Sequence, residues 1–237
     1  MYNLYNADNI EIMNQFVNNS DFDFKVDLAY CDMIYESMDF EWVWYAMMLV
    51  GHGSIFIIQT DWHTVSEIDV FIKSHFVVTP LNHLVWKNEW GNHPKDRFHQ
   101  CYDDILIYEI NDIQDKKLPH KFYLDRIQVP KATTKTKLNP SGRETKTATA
   151  WIDDICLTTT SKERVKKADG HLVKWQKPLK LFDRIILPFT DENDFILDPF
   201  MGSGSLGEWC KINNRNYIGI EIDKDIFNLA KERIEGV

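Results

Sequence analysis

Apolar and polar positions along the chain follow two regimes separated by a polar middle. Up to about residue 110 the apolar runs alternate in kind. Residues 24–31 form a mostly apolar run followed by an acid, Asp32, which predicts a strand. "FEWVWYAMMLV" (40–50) is too continuously apolar for a surface helix and predicts a buried one. "GHGS" then predicts a turn into the short β-rich run "IFIIQ" (55–59). Thr60 or Asp61 stands where a helix through "WHTVSEIDVFIKSH" would be N-capped, and "HFVVTPLNHLVW" and "DILIYEI" predict further strands. Strands alternating with helices predict an α/β fold around a largely parallel sheet.

From about 111 to 176 this order lapses. The segment is rich in Lys, Thr, Asp and Pro, with one clear turn at "NPSGRE". It reads as an insertion carrying short strands, and irregular stretches of that length inside compact proteins are usually functional. Periodicity returns at 177. Leu179, Leu181, Phe182, Ile185 and Ile186 recur at helical spacing, and residues 194–234 read strand, glycine turn, helix, strand, helix. The expected organisation is therefore 1–110 and 177–237 as two halves of one domain, with 111–176 inserted between them.

The glycine turn is the most informative block. Gly202, Gly204 and Gly207 fit GxGxxG directly after the strand "FILD", and Glu221 ends the next strand, "YIGIE". Glycines let the backbone turn tightly and approach a ligand, and an acid at that distance suits ribose hydroxyls. The order points to an adenosine-containing cofactor, either a dinucleotide or S-adenosylmethionine. Only 33 residues follow Gly204, too few for the remaining strands of a dinucleotide fold, so the other strands must come from upstream. That predicts a circularly rearranged sheet and favours S-adenosylmethionine.

Composition narrows the field further. The chain has 237 residues, 44% hydrophobic and 27% charged, which suits one globular domain with a modest insertion. No apolar stretch approaches the roughly 20 residues of a membrane helix, and the first residues lack the basic flank of a signal peptide, so a soluble, cytoplasmic protein is expected. Cys31, Cys101, Cys156 and Cys210 form no CxxC pair and the histidines no HExxH, so neither disulfides nor a metal site is expected. A net charge of −9 argues against nucleic acid until its distribution is read. Residues 131–177 hold 11 Lys and Arg against 5 Asp and Glu, a basic segment on an acidic body.

"LDPFMGSGSLGEWCKINNRNYIGIEIDKDIFNLAKERI" resembles the cofactor block of the amino-group DNA methyltransferases in their β arrangement. In that family a D-P-P-Y motif lies near the start, a target-recognition region follows, and an F-x-G-x-G motif comes last. "LYNADNIEIMNQF", "HLVWKN", "NPSGRETKTATAWIDDI" and "QKPLKLFDRII" are similar to further landmarks in the same order. The resemblance implies a Rossmann-like methyltransferase fold with a permuted, mostly parallel sheet. It implies methyl transfer from S-adenosylmethionine to the N6 amine of adenine in double-stranded DNA, with base flipping. It also admits a homodimer and leaves any restriction partner unnamed. N4-cytosine transfer, and a catalytically degenerate protein that only binds cofactor and DNA, are the competing readings.

Carried onto this sequence, the resemblance makes Asp32 an acceptor for the target amine, the Met33 carbonyl a second acceptor, and Tyr35 a platform for the flipped base. Where the family has two prolines this chain has Met33 and Ile34, which loosens the turn and adds two N–H donors. Asp198, Pro199, Phe200, Gly202, Ser203 and Gly204 would hold the methionine end of the cofactor, together with Lys177 and Pro178. Glu221 would take the ribose, with Asp223 beside it, and Asp8 the adenine. Simpler roles compete: Asp198 capping its turn, Asp8 capping a helix at "NIEIM". For DNA the expected contacts are Lys87, Lys95 and Arg97 in one loop and Lys135, Lys137, Arg143 and Lys146 in the basic segment.

Overall fold

The computed structural model describes residues 1–19, 25–33, 37–88, 94–111, 120–131, 142–157, 164–166, 170–171, 173 and 175–237. The first half runs β1 (Tyr2–Tyr5), α1 (Asn9–Asn18), β2 (Val26–Asp32), α2 (Glu41–Leu49), β3 (Val50–Thr60), α3 (Val65–His75), β4 (Val78–Lys87) and β5 (Tyr102–Ile110). Three short strands follow, β6 (Gln128–Pro130), β7 (Thr145–Thr147) and β8 (Trp151–Ile152). The last part runs α4 (Leu179–Ile185), β9 (Phe195–Asp198), α5 (Ser205–Ile212), β10 (Asn216–Ile220) and α6 (Lys224–Glu235).

Eight strands form one sheet in the order β1-β10-β9-β2-β3-β5-β4-β8, and β6 with β7 makes a separate antiparallel ribbon. Within that sheet β5 alone runs against its neighbours; the other pairings are parallel. The α/β reading and the rearranged strand order both hold: β9, late in the chain, pairs with β2 through Leu28↔Ile196 and Ala29↔Leu197. Because the parallel part of the sheet is covered on both faces, the middles of its inner strands, such as Leu28–Cys31 and Ile55–Ile58, are apolar, with polar residues gathered toward the strand ends. Helices α1, α2 and α3 pack one face around Met13, Val43, Ala46, Ile68 and Ile72. Helices α4, α5 and α6 pack the other around Leu181, Phe182, Ile185, Trp209 and Ile234.

Chain connections diverge at one place in this sheet. From β9 the chain passes through α5 to β10 on one side, whereas from β2 it passes through α2 to β3 on the other. Such a switch point opens a crevice beyond the carboxyl ends of the two strands, where open α/β sheets bind ligands. Asp198 ends β9 and Asp32 ends β2.

Two local expectations shift. "GHGS" is not a separate turn but the irregular start of β3, which begins at Val50. Gly53 at φ 76 and a register shift opposite Val26 and Leu28 absorb the extra residues. Helix α3 starts later than expected: Thr60 still belongs to β3, and the N-cap is Thr64, which makes no side-chain cap bond. The polar middle is not wholly apart from the domain, since β8 joins the main sheet beside Val85 and Trp86 of β4.

Gly204 N-caps α5 at φ 73, and a Cβ there would meet Ala230 Cβ at 2.9 Å and Cα at 3.0 Å. Gly204→Ala is therefore expected to lower unfolding free energy by about 2–5 kcal/mol, left-handed strain plus overpacking. Gly170→Ala is the control: φ is +83 but nothing lies within 4 Å, so only strain of about 1–2 kcal/mol applies. Denaturant unfolding of the two variants checks this, and equal losses would refute the contact with α6.

Candidate active site

Asp32 and Asp198 line a single cavity of about 700 Å³ at the switch point. Of the residues expected to act on the amine, Asp32 and Met33 face this cavity; Ile34 and Tyr35 lie outside the described residues. Met33 is 2% exposed and packs among the residues under α2. Its N–H, which a proline would lack, donates to the Gln59 carbonyl at 3.3 Å. The methionine therefore fills core volume and adds no orphan donor.

Of the expected cofactor residues, Asp198, Pro199, Phe200, Gly202 and Ser203 line the cavity from the turn after β9, and Asp8 and Glu221 line it from either side. Pro178, Gly204 and Asp223 do not line it. Pro178 is the N-cap residue of α4, Gly204 sets the turn into α5, and Asp223 caps α6 by accepting from Asp225 and Ile226 N–H. Asp8 also caps a helix, its Oδ1 accepting from Ile10 N at 2.9 Å and Glu11 N at 3.1 Å.

Asp198 is 2% exposed. Its Oδ1 accepts from Phe200 N at 3.2 Å, so it does cap the turn, and its Oδ2 accepts from the Tyr217 hydroxyl at 2.9 Å. Burial raises its pKa to about 7 against these two donors, with Asp32 and Glu221 adding repulsion. Glu221 ties the turn to the end of β10: Oε2 accepts from Gly202 N at 2.9 Å and Oε1 from Asp223 N at 2.8 Å. A carboxylate oxygen has lone pairs to spare after one such bond, so ribose hydroxyls can still be accepted. Beneath the turn, Arg233 of α6 donates to the Ser205 hydroxyl at 2.8 Å and pairs with Glu208.

On the α4 face of the sheet lies a polar group that periodicity did not single out. Tyr30 Oη donates to Gln59 Oε1 at 2.6 Å, and Gln59 Nε2 donates to Asp103 Oδ2, also at 2.6 Å. Asn88 Nδ2 donates to Asp103 Oδ1 at 2.8 Å. Strand pairing aligns these residues. Asp32 is opposite Gln59, and Gln59 is opposite Ile105, two positions from Asp103. Lys177, expected at the cofactor, lines the cavity with its ammonium 2.8 Å from Asp32 Oδ2 and 3.7 Å from Asp103 Oδ2. Burial pushes the Lys177 pKa down, but Asp32 and then Asp103 outweigh it, leaving the ammonium above its ordinary value. Trp175, at φ 63 and 60% exposed, also lines the cavity and was not foreseen.

A family model described as DNA methylase matches residues 26–232, nearly all of this chain. The chain belongs to the DNA methylase family. Among the relatives of this methylase, the Type II methyltransferase M.HpaI of Haemophilus parainfluenzae is 30% identical over 190 residues, 79% of this chain and 55% of that protein. M.HinfI of Haemophilus influenzae is 35% identical over 193 residues, 80% of this chain and 48% of that protein. The methylase chain thus spans about half the length of these two relatives. Among solved structures, the M1.HpyAVI–SAM complex is 26% identical with a TM-score of 0.68, covering 98% of this chain and 100% of that one. The cytosine-N4-specific PvuII DNA methyltransferase is 12% identical with a TM-score of 0.69, covering 98% of this chain and 87% of that one, a likeness of fold alone. The methylase fold is therefore Rossmann-like, as the strand order indicated.

None of the described residues expected at DNA lines this cavity. Lys87 ends β4 half-buried; Lys95, Arg97, Arg143 and Lys146 are exposed, the last on β7. Lys135 and Lys137 lie outside the described residues. Among the described residues no helix is long and apolar enough to cross a membrane.

Proposed function

We propose that this methylase transfers a methyl group from S-adenosylmethionine to the N6 amine of adenine in double-stranded DNA. The observation that carries this reading is the pairing of two acids across the switch point, Asp198 on the cofactor side and Asp32 on the acceptor side of one cavity. The residues present fit the cofactor. Asp198 is a buried carboxylate raised to about 7, matched to an ammonium, and Glu221 offers acceptors at ribose distance in sequence. Phe200, Ile222 and Ile226 give apolar walls for a purine.

When bound, S-adenosylmethionine supplies an electrophilic methyl group on a sulfonium. The chain's own task is alignment and polarisation of the amine. Asp32 accepts one N–H of the amine and the Met33 carbonyl the other, which draws the nitrogen toward tetrahedral geometry and frees its lone pair. Because the Asp32 side chain is only 18% exposed at the wall of a cavity, a stacked base cannot reach it, and the base must leave the duplex. Tyr35 is the proposed platform for that base. Lys87, Lys95, Arg97 and the ribbon residues Arg143 and Lys146, with Lys135 and Lys137, would contact phosphate and help orient the duplex. Asp at the first motif position favours adenine over cytosine, and the paired Met33 N–H supports an active site without its prolines. The reaction belongs in the cytoplasm, where bacterial or phage DNA is accessible.

Incubation of the purified protein with labelled S-adenosylmethionine and DNAs of varied sequence, followed by nucleoside analysis, tests this reading. N6-methyladenine is the expected product. N4-methylcytosine would overturn the base assignment, and no incorporation in any DNA would overturn transfer itself.

A further inference from the structure

We propose that Lys177 is a positioning residue for methyl transfer, acting on the target amine through the carboxylate of Asp32 rather than on the cofactor. The inference rests on the reading of Asp32 as the amine's acceptor. Three observations support it.

Lys177 is 6% exposed, and its ammonium is closer to Asp32 Oδ2, at 2.8 Å, than to Asp103 Oδ2, at 3.7 Å. A charge taken this far out of water is costly unless paired, so the contact is a fixed part of the site. The second observation is how Asp103 is held. Gln59 and Asn88 donate to its two oxygens, and Gln59 in turn accepts from Tyr30. Asp103 is thereby a rigid second anchor that limits where the ammonium can sit, and with it where Asp32 points. The third is delivery. Pro178 follows Lys177 as the N-cap of α4, whose Leu181, Phe182 and Ile185 are buried against the sheet. Phe182 meets Tyr30 edge-on, with ring centroids 5.4 Å apart. Docking of α4 thus sets Lys177 on the acid end of β2.

An acceptor carboxylate has two lone-pair-bearing oxygens and can rotate between them. An ammonium on Oδ2 fixes the plane of the carboxylate that meets the amine. An acceptor held in place before the base arrives needs no reorganisation during transfer, which is the source of its catalytic benefit.

Two measurements on the full chain decide the matter. In single-turnover methylation at saturating cofactor and DNA, Lys177→Met is expected to lose about 100-fold in rate, and Lys177→Arg to recover at least about tenfold of it. A Met variant that keeps the wild-type rate would overturn the proposal. Calorimetric binding of S-adenosylmethionine, without DNA, then compares Asp32→Asn with Asp32→Asn/Lys177→Met. Asp103 keeps its donors from Gln59 and Asn88 in both, so the pair remains usable if Lys177→Met alone fails to fold. Equal affinity is expected if Lys177 works through Asp32. A tenfold weaker double variant would make Lys177 a cofactor ligand and overturn the proposal. Because this arm needs no turnover, a wild type that methylates nothing would end the functional reading while leaving the assignment of Lys177 readable.

Discussion

Asp32→Asn is expected to slow methyl transfer by about 10³-fold while leaving S-adenosylmethionine binding unchanged, because it removes charge from the acceptor and not from the cofactor turn. The substitution keeps the shape of the side chain. It replaces one acceptor oxygen by an NH₂ group that faces either the target amine or the Lys177 ammonium, both of them donors. Lys177 retains Asp103 within 3.7 Å, so the fold is expected to persist. Single-turnover transfer of labelled methyl, measured beside calorimetric cofactor binding, separates the two effects. Transfer at the wild-type rate would remove Asp32 from the mechanism, and loss of cofactor binding would mean the two acids are not divided between acceptor and donor.

The second large effect is at Asp198. Its carboxyl titrates near 7 in the ligand-free protein, well above its ordinary 3.8, chiefly through burial. An ammonium placed against it favours the charged form, so cofactor binding below pH 7 must expel a proton. Affinity for S-adenosylmethionine is therefore expected to rise by up to about tenfold per pH unit below pH 7 and to level off above it. Asp198→Asn should weaken binding by about 30-fold or more at pH 8 and flatten this dependence. Stability of the free protein follows the opposite course. A carboxyl whose folded pKa exceeds its unfolded one contributes stability that is complete below about pH 4 and lost as pH rises through about 7. Calorimetry across pH 6–8 in buffers of different ionisation enthalpy reads the proton directly. Binding that is indifferent to pH would mean that Asp198 serves the turn and Tyr217 alone.

Much of this arrangement was legible from the chain. The block from Phe195 to Glu235 announces itself because strand, glycine turn, helix and acid follow one another locally, and local order is what periodicity reports. The rearranged sheet was legible because too few residues follow Gly204 to complete it. The edges of β3 and α3 were less so. Gly51 and Gly53 suggest a turn, yet a bulged strand tolerates glycine equally well. Thr60 and Asp61 were the expected caps, but β3 runs through Thr60 and the helix starts only at Val65, after Thr64. The Lys177–Asp32 pair was not legible at all. It depends on the docking of α4 against β2, and no spacing in the sequence encodes that. Asp103 and Gln59 were missed for the same reason, being aligned only by the registers of β2, β3 and β5. Tyr217 had a fainter signal: it precedes Gly219 by two positions on one face, and Gly219 is opposite Asp198. With no side chain at 219, the hydroxyl of Tyr217 can reach the acid.

The strand order also fixes when the site can come into being. Asp32 leaves the ribosome early, but its neighbour β9 lies some 160 residues later, and β1 must await β10, the pairing that joins Tyr2 to Tyr217. At about 5–20 residues per second, synthesis separates the two halves of the crevice by roughly 10–30 seconds. Throughout that interval β2 presents an unpaired apolar edge, and the crevice between Asp32 and Asp198 does not exist. The crevice between Asp32 and Asp198 is completed in a single later step, when β9 and β10 insert into a sheet already begun.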